Sequence, residues 1–123
     1  MKRSEARELA FKTIYSKFFN NTDEDVFESA DKDGLEFTGN ILKAFATHYN
    51  DINETISSNL KGYTIDRLNK VDLAIIVLAI IELQYVKENP KEVIINEAIE
   101  LAKKYSTEKS PKFINGFLAN LTK

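Results

Sequence analysis

Residues 71–83 read Val-Asp-Leu-Ala-Ile-Ile-Val-Leu-Ala-Ile-Ile-Glu-Leu, the longest apolar block in the chain. On a helix this block is apolar on almost every side, which predicts a central helix over 70–86 that other helices surround. A membrane span needs about 20 apolar residues, so a block of this length with two carboxylates inside it indicates a buried helix instead. The β-branched residues at 75–77 also suit a strand, but the length and the flanks of the block favour a helix.

Helical spacing of apolar residues continues on both sides of the central block. Steps of three and four residues predict further helices over 3–19, 35–60 with a break near Asn50, 91–105, and from 110 onward. No internal repeat, low-complexity tract or linker interrupts this succession. The sequence therefore predicts one all-α domain over residues 1–123.

Start and stop signals stand at the ends of these predicted helices. Ser110 and Pro111 suit the N-cap and the first position of the last helix. Gly62 suits the end of the helix that begins near residue 35, and Pro90 stops the central helix. A polar residue at 21–22 can cap a short acidic helix between the first two long ones.

The composition of the chain removes several classes of chemistry. The 123 residues include no cysteine and one histidine, which excludes disulfides and thiol nucleophiles and argues against a multi-histidine metal site. The four scattered glycines form no phosphate-binding loop. Asp72 and Glu82 are ten residues apart, about 15 Å along a helix, which is too far to share a substrate proton. We therefore expect no enzyme, no catalytic residue, no metal and no cofactor.

Localisation follows from the same features. The first ten residues are charged, and no apolar stretch follows a basic start, so a secretory signal is not evident. Without cysteine, an export signal or a membrane span, the chain is expected in the cytoplasm.

The net charge of −2 is unevenly distributed. Residues 1–20 hold five basic and two acidic side chains, and residues 101–123 hold five basic and one acidic. Residues 22–36, by contrast, hold seven acidic side chains and one basic. If the two basic ends meet in space, they form a basic patch suited to nucleic acid. The alternative is that these charges only solvate helix faces.

The first predicted helix places two arginines and two aromatic rings at steps of four residues: Arg3, Arg7, Phe11 and Tyr15. Arginine pairs with phosphate, and aromatic rings stack on unpaired bases, so the stripe suits single-stranded RNA or a protein partner. The alternative is that both rings belong to a wide core face.

The start of the last predicted helix is a second candidate for binding. Lys109, Lys112 and Phe113 cluster near the free backbone N–H groups there, which attract phosphate. Helical spacing also allows Phe113 to belong to the core.

Three segments together resemble one protein family. Residues 95–105 (INEAIELAKKY) and 110–118 (SPKFINGFL) resemble the C-terminal signature of NusB, a family of bacterial transcription antitermination factors. Residues 68–83 resemble the central helix of that family, and residues 3–15 resemble its first helix. The similarity runs nearly end to end and is weakest over residues 20–50.

This resemblance implies a NusB-like fold, in which two small helical bundles pack into one compact domain, and a role without catalysis. NusB-like proteins pair with NusE, a ribosomal small-subunit protein. The pair binds the boxA element of nascent RNA, notably ribosomal RNA, in an antitermination complex with RNA polymerase and other Nus factors. Some relatives also form homodimers. The alternative for this chain is a protein-interaction or homodimeric module that binds no RNA.

The resemblance also assigns residues to the two expected partners. Tyr15 and Asp72 match positions that face NusE. Ser4 and Glu5 stand where the family motif is often richer in arginine, so we expect weak binding of single-stranded boxA-like RNA without the partner. The positions that match the RNA surface of the family are Lys2, Arg3, Arg7, Lys112, Phe113 and Asn115.

Overall fold

The computed structural model describes residues 2–19 and 31–123, and helices dominate these two ranges. No strand occurs within them, which confirms the predicted all-α class. The acidic helix expected after residues 21–22 lies outside the described residues. The helices, α1 to α6, are Arg3–Lys17, Lys32–Thr47, Tyr49–Asn59, Lys70–Ile81, Lys91–Tyr105 and Ser110–Leu121.

Helix α4 is the centre of the core. Every residue from Asp72 to Ile81 is buried, and the apolar side chains among them belong to one continuous cluster. Helices α1, α2 and α3 pack against α4, as do α5 and α6, while α1 also packs on α2 and α5 on α6. Two small groups of helices therefore share α4, as the NusB-like expectation required.

The two ends of α4 have different geometry. At its start, the Asn69 side chain accepts a hydrogen bond from the backbone N–H of Asp72 at 2.8 Å and so caps the helix. At its end, Glu82–Val86 continues the helix as a π-helical turn, and Lys87 then takes a left-handed conformation with φ of 55°. The helical segment therefore covers residues 70–86, as predicted, and ends four residues before Pro90.

Two boundaries lie at other residues than expected. The break between α2 and α3 falls at His48, two residues before Asn50, and the His48 imidazole stacks on the Tyr85 ring with centroids 4.0 Å apart. Ser110 is the first residue of α6 rather than its N-cap, and its buried hydroxyl donates to Asp72 Oδ2 at 3.0 Å. Gly62 lies in the turn after α3 with φ of 87°, a conformation that favours glycine.

A wide face of helix α1 packs against the core, and the charged side chain of Arg7 belongs to this face. Arg7 and Phe11 are only 2% and 3% exposed. The Arg7 Nε–H donates to both carboxylate oxygens of Glu82, to Oε2 at 2.8 Å and to Oε1 at 3.0 Å. Burial raises the pKa of the Glu82 carboxyl above its ordinary value of 4.5, and the Arg7 guanidinium opposes that rise. The pair joins α1 to the last turn of the central helical segment.

Replacing Arg7 with methionine is expected to destabilise the fold by about 3–5 kcal/mol near neutral pH, because it leaves the buried Glu82 charge unpaired. The pKa of Glu82 should then rise further. A carboxyl whose folded-state pKa is raised loses stability as pH increases through that pKa, so the deficit should shrink at acidic pH, where Glu82 of the variant takes up a proton. Urea unfolding of both proteins at neutral and at acidic pH measures this.

The matched control is Arg3→Met on the same helix, where the side chain is 37% exposed. We expect this variant to change the free energy of unfolding by less than about 0.5 kcal/mol. An Arg7→Met deficit that is the same at both pH values would contradict the pairing.

Candidate nucleic-acid and partner interface

Arg3 lies at the start of α1, on the surface and in a defined position. Its guanidinium carbon stands 4.4 Å from the centroid of the Phe37 ring, and its Nη2 lies 3.9 Å from Glu88 Oε2. The neighbouring Lys2 is exposed. Stacking on an aromatic face holds the plane of the guanidinium. The Arg3 side chain is still 37% exposed, and its contact with RNA stays a prediction.

Arg7 has a different role from the one expected for it. Its guanidinium is buried and paired with Glu82, so its charge is already neutralised inside the protein. This placement corrects the assignment of Arg7 to the RNA-contacting surface, because a buried, paired arginine does not reach a phosphate. The four-residue stripe on α1 is therefore divided: Arg3 faces outward, whereas Arg7 and Phe11 belong to the core.

Phe113 lies on the first turn of α6 between two other aromatic rings. Its centroid is 6.3 Å from that of Tyr63 and 6.3 Å from that of Phe117. Phe113 is half-buried, whereas the adjacent Lys112 and Asn115 are exposed. Burial, together with the nearby Asp72 charge, raises the pKa of the Tyr63 phenol above 10.0, so Tyr63 stays protonated. Phe113 therefore packs in part against the core, and its exposed part lies beside Lys112 and Asn115.

The two basic clusters, Lys2 with Arg3 and Lys112 with its neighbours Phe113 and Asn115, lie toward opposite ends of α4. Arg7, one turn after Arg3, contacts Glu82 at the far end, while Ser110, just before Phe113, contacts Asp72 at the near end. Ten helical residues separate Asp72 and Glu82, which is about 15 Å. A ligand that touches both clusters must therefore extend along the protein.

Two of the basic side chains, those of Lys12 and Lys104, form ion pairs with Glu8 inside the molecule. Lys104 Nζ lies 2.9 Å and Lys12 Nζ 3.6 Å from Glu8 Oε1, and the Tyr105 hydroxyl donates to the same carboxylate. Partial burial alone raises the pKa of Glu8, but the hydrogen bonds from Tyr105 and Lys104 outweigh it and hold that pKa below 4.5. This cluster joins α1 to α5 and reduces the charge available to a ligand there.

Tyr15 belongs to an aromatic edge at the end of α1. Its ring centroid lies 5.1 Å from that of Phe19 and 6.3 Å from that of Phe11. Phe19 is 48% exposed, so the aromatic edge reaches the surface there. Sequence reasoning did not single out Phe19, although its spacing of four from Tyr15 continues the α1 stripe.

Asp72, the other residue expected to face a partner, is 6% exposed. Its carboxylate accepts hydrogen bonds from the Ser106 hydroxyl at 2.6 Å, the Ser110 hydroxyl at 3.0 Å and Asn69 Nδ2 at 3.1 Å. The network joins α4 to the loop before α6. Asp72 therefore supports the position of α6, and a direct contact with NusE stays a prediction.

Residues 2–19 and 31–123 contain no group of histidine, aspartate and glutamate side chains arranged to hold a metal ion. None of the helices described is long and apolar enough to cross a membrane.

The helices that surround a buried α4 define an all-α protein built from two small groups of helices. The NusB family model matches residues 4–123. The transcription antitermination protein NusB of Finegoldia magna is 38% identical over 130 residues, covering 100% of this chain and 95% of that protein. The chain belongs to the NusB family.

Solved structures agree with this membership. T. maritima NusB matches with a TM-score of 0.90 and 33% identity, covering 98% of this chain and 90% of that one. The NusB fold in a crystal structure of antitermination factors NusB and NusE in complex with dsRNA matches with a TM-score of 0.83 and 27% identity. That match covers 97% of this chain and 94% of the other. The fold expected from the resemblance is thereby confirmed.

Replacing Asp72 with alanine is expected to lower the free energy of unfolding by about 2–3 kcal/mol, because it leaves the hydroxyls of Ser106 and Ser110 without their charged acceptor. Asp72→Asn keeps one carbonyl acceptor and should cost less. Urea unfolding followed by circular dichroism measures both variants. Equal stability of Asp72→Ala and the unaltered protein would mean that the network does not anchor α6.

Proposed function

We propose that this protein is a transcription antitermination factor that binds boxA-type RNA together with NusE and promotes processive transcription, notably of ribosomal RNA. Family membership supports this proposal, as does the similarity to a NusB that was crystallised with NusE and dsRNA. The complete assembly would include RNA polymerase and other Nus factors.

The single observation that carries the proposal is the position of Phe113. An aromatic ring that is buried only in part, flanked by the exposed Lys112 and Asn115, provides a stacking surface next to a phosphate-binding cation. Arg3 and Lys2 provide a second set of donors toward the other end of α4. In this mechanism the basic side chains bind phosphates, Phe113 stacks on an unpaired base, and NusE adds contacts that the small number of free cations cannot provide.

The partner surface in this proposal is the aromatic edge formed by Tyr15 and Phe19. Contact between this edge and NusE removes apolar area from water, which is the main favourable term in protein association. The function is one of binding: no step in it needs a catalytic group, a metal or a cofactor. We propose that it takes place in the cytoplasm, where nascent RNA is made.

Reversing the charge of both Lys2 and Arg3 to glutamate is expected to weaken binding of a labelled boxA-like RNA at least tenfold, because two phosphate contacts become repulsive. The slope of log affinity against log salt should also fall, by about 0.7 for each lost contact with a single strand. Fluorescence anisotropy with and without NusE, at two salt concentrations, measures both effects. A scrambled RNA and a double-stranded RNA serve as ligand controls.

The matched control exchanges Lys32 and Lys103 for glutamate, two exposed residues outside both clusters. This variant carries the same net charge as the test variant and should bind RNA far better. If the two variants bind equally, Lys2 and Arg3 are not contacts. If the unaltered protein with NusE binds the scrambled RNA as well as boxA, the protein-interaction module is the better description.

Phe19→Ser is expected to weaken NusE binding at least fivefold, because it removes the exposed ring of the aromatic edge while leaving the core residues in place. Isothermal titration calorimetry with purified NusE measures the dissociation constant. Tyr49→Ser is the control, since Tyr49 is also an aromatic residue and 46% exposed but lies on α3. Unchanged NusE affinity in Phe19→Ser would remove the aromatic edge from the interface.

A further inference from the structure

A wide groove lies between the end of α3 and the outer face of α6, next to Phe113. Its volume is about 690 Å³, within the roughly 300–1,000 Å³ typical of small-molecule sites. The rings that line it include those of Phe113 and of Tyr63, which is 36% exposed. Its walls come from residues 59–63 and 112–123, about fifty residues apart, so no local sequence pattern predicts the groove. The resemblance assigns only Lys112 and Phe113 of its lining to the RNA surface.

The charged side chains of the groove are all basic. Lys61, Lys112 and Lys123 line it and are exposed, and among the described residues no aspartate or glutamate lines it. The protein as a whole is acidic, with a net charge of −2. A concave surface lined by three lysines and no acidic side chain contrasts with that overall charge, and it attracts a polyanion.

We propose that this groove receives unpaired nucleotides of the RNA that continue past Phe113. Lys61 and Lys123 then bind their phosphates, and Tyr63 stacks on a base. The proposal rests on the RNA binding proposed above and extends its path onto α3 and the second half of α6. Continuity supports it, because Phe113 and Lys112 belong both to the expected RNA surface and to the wall of the groove. Positive charge together with stackable rings fits a single strand of nucleic acid.

A substitution at Gly116 fills part of the groove without changing its charge. This residue lies within α6 and lines the groove, and a Cβ built on it meets no atom within 4 Å. A leucine there would project into open space in the groove. Since leucine is a better helix former than glycine, Gly116→Leu is expected to keep the fold intact.

The matched control is Gly39→Leu. Gly39 is also an exposed helical glycine with open space around it, but it lies on α2, outside the groove. A second pair of variants removes charge and leaves the space open. The double variant Lys61→Gln with Lys123→Gln is compared with the double variant Lys32→Gln with Lys103→Gln. None of the groove variants alters Phe113 or Lys112, so the expected contacts there are kept.

The experiment measures anisotropy of single-stranded RNAs of two lengths with each variant in the presence of NusE. The short RNA holds the boxA-like element alone, and the long ones extend it by several nucleotides at the 5′ or the 3′ end. For the unaltered protein, extension at one end should tighten binding about tenfold, as expected when one or two bases gain stacking and phosphate contacts. Gly116→Leu and the Lys61/Lys123 variant should lose that gain and bind the short RNA normally, while both controls keep the gain.

Two results would overturn the proposal and leave RNA binding itself standing: no gain on extension at either end, or a gain that both groove variants retain. Loss of NusE affinity in the groove variants with unchanged RNA binding would assign the groove to a protein and also overturn it. If the unaltered protein with NusE binds neither RNA, the proposed function fails as well. Circular dichroism confirms that each variant keeps its helix content.

Discussion

The structure depends on one constraint: helix α4 is apolar almost all round and must be kept from water on every side. A single partner helix covers only one stripe of it, so several helices have to pack around it. Helices α1, α2 and α3 cover one part, and α5 and α6 cover the rest. The order of the chain places three of these helices before α4 and two after it.

The same constraint explains why polar groups lie at both ends of α4. A helix in the centre of a core still has unpaired backbone groups at its ends, and these ends need polar neighbours. At the start, Asn69 and Asp72 provide a cap and a hydrogen-bond network that reaches Ser106 and Ser110. Beyond its end, Glu82 binds the buried Arg7 of α1. Both networks therefore hold the flanking helices in position, and with them Arg3 on α1 and Phe113 on α6.

Two positions that the resemblance assigned to the same RNA surface differ in burial and in contacts. Arg3 and Arg7 are one helical turn apart and chemically identical, yet one stacks on Phe37 at the surface and the other is buried beside Glu82. Their spacing in the sequence could not separate them, because the difference comes from Glu82, which lies 75 residues further along the chain. Phe19 was not singled out for the same kind of reason, since an aromatic residue near a helix end is as consistent with the core as with the surface.

The sequence by itself determined the helical class, the central position of 71–83 and most helix ends, because apolar periodicity and capping residues act over only a few positions. It also contained the family signature in 95–105 and 110–118. Only the tertiary structure decided which charged side chains have partners inside the molecule. Arg7 pairs with Glu82, Asp72 accepts hydrogen bonds from Ser106 and Ser110, and Glu8 pairs with Lys104. It also decided that Lys61 and Lys123 line one groove. Contacts between residues distant in sequence set burial and pairing, and no local pattern encodes them.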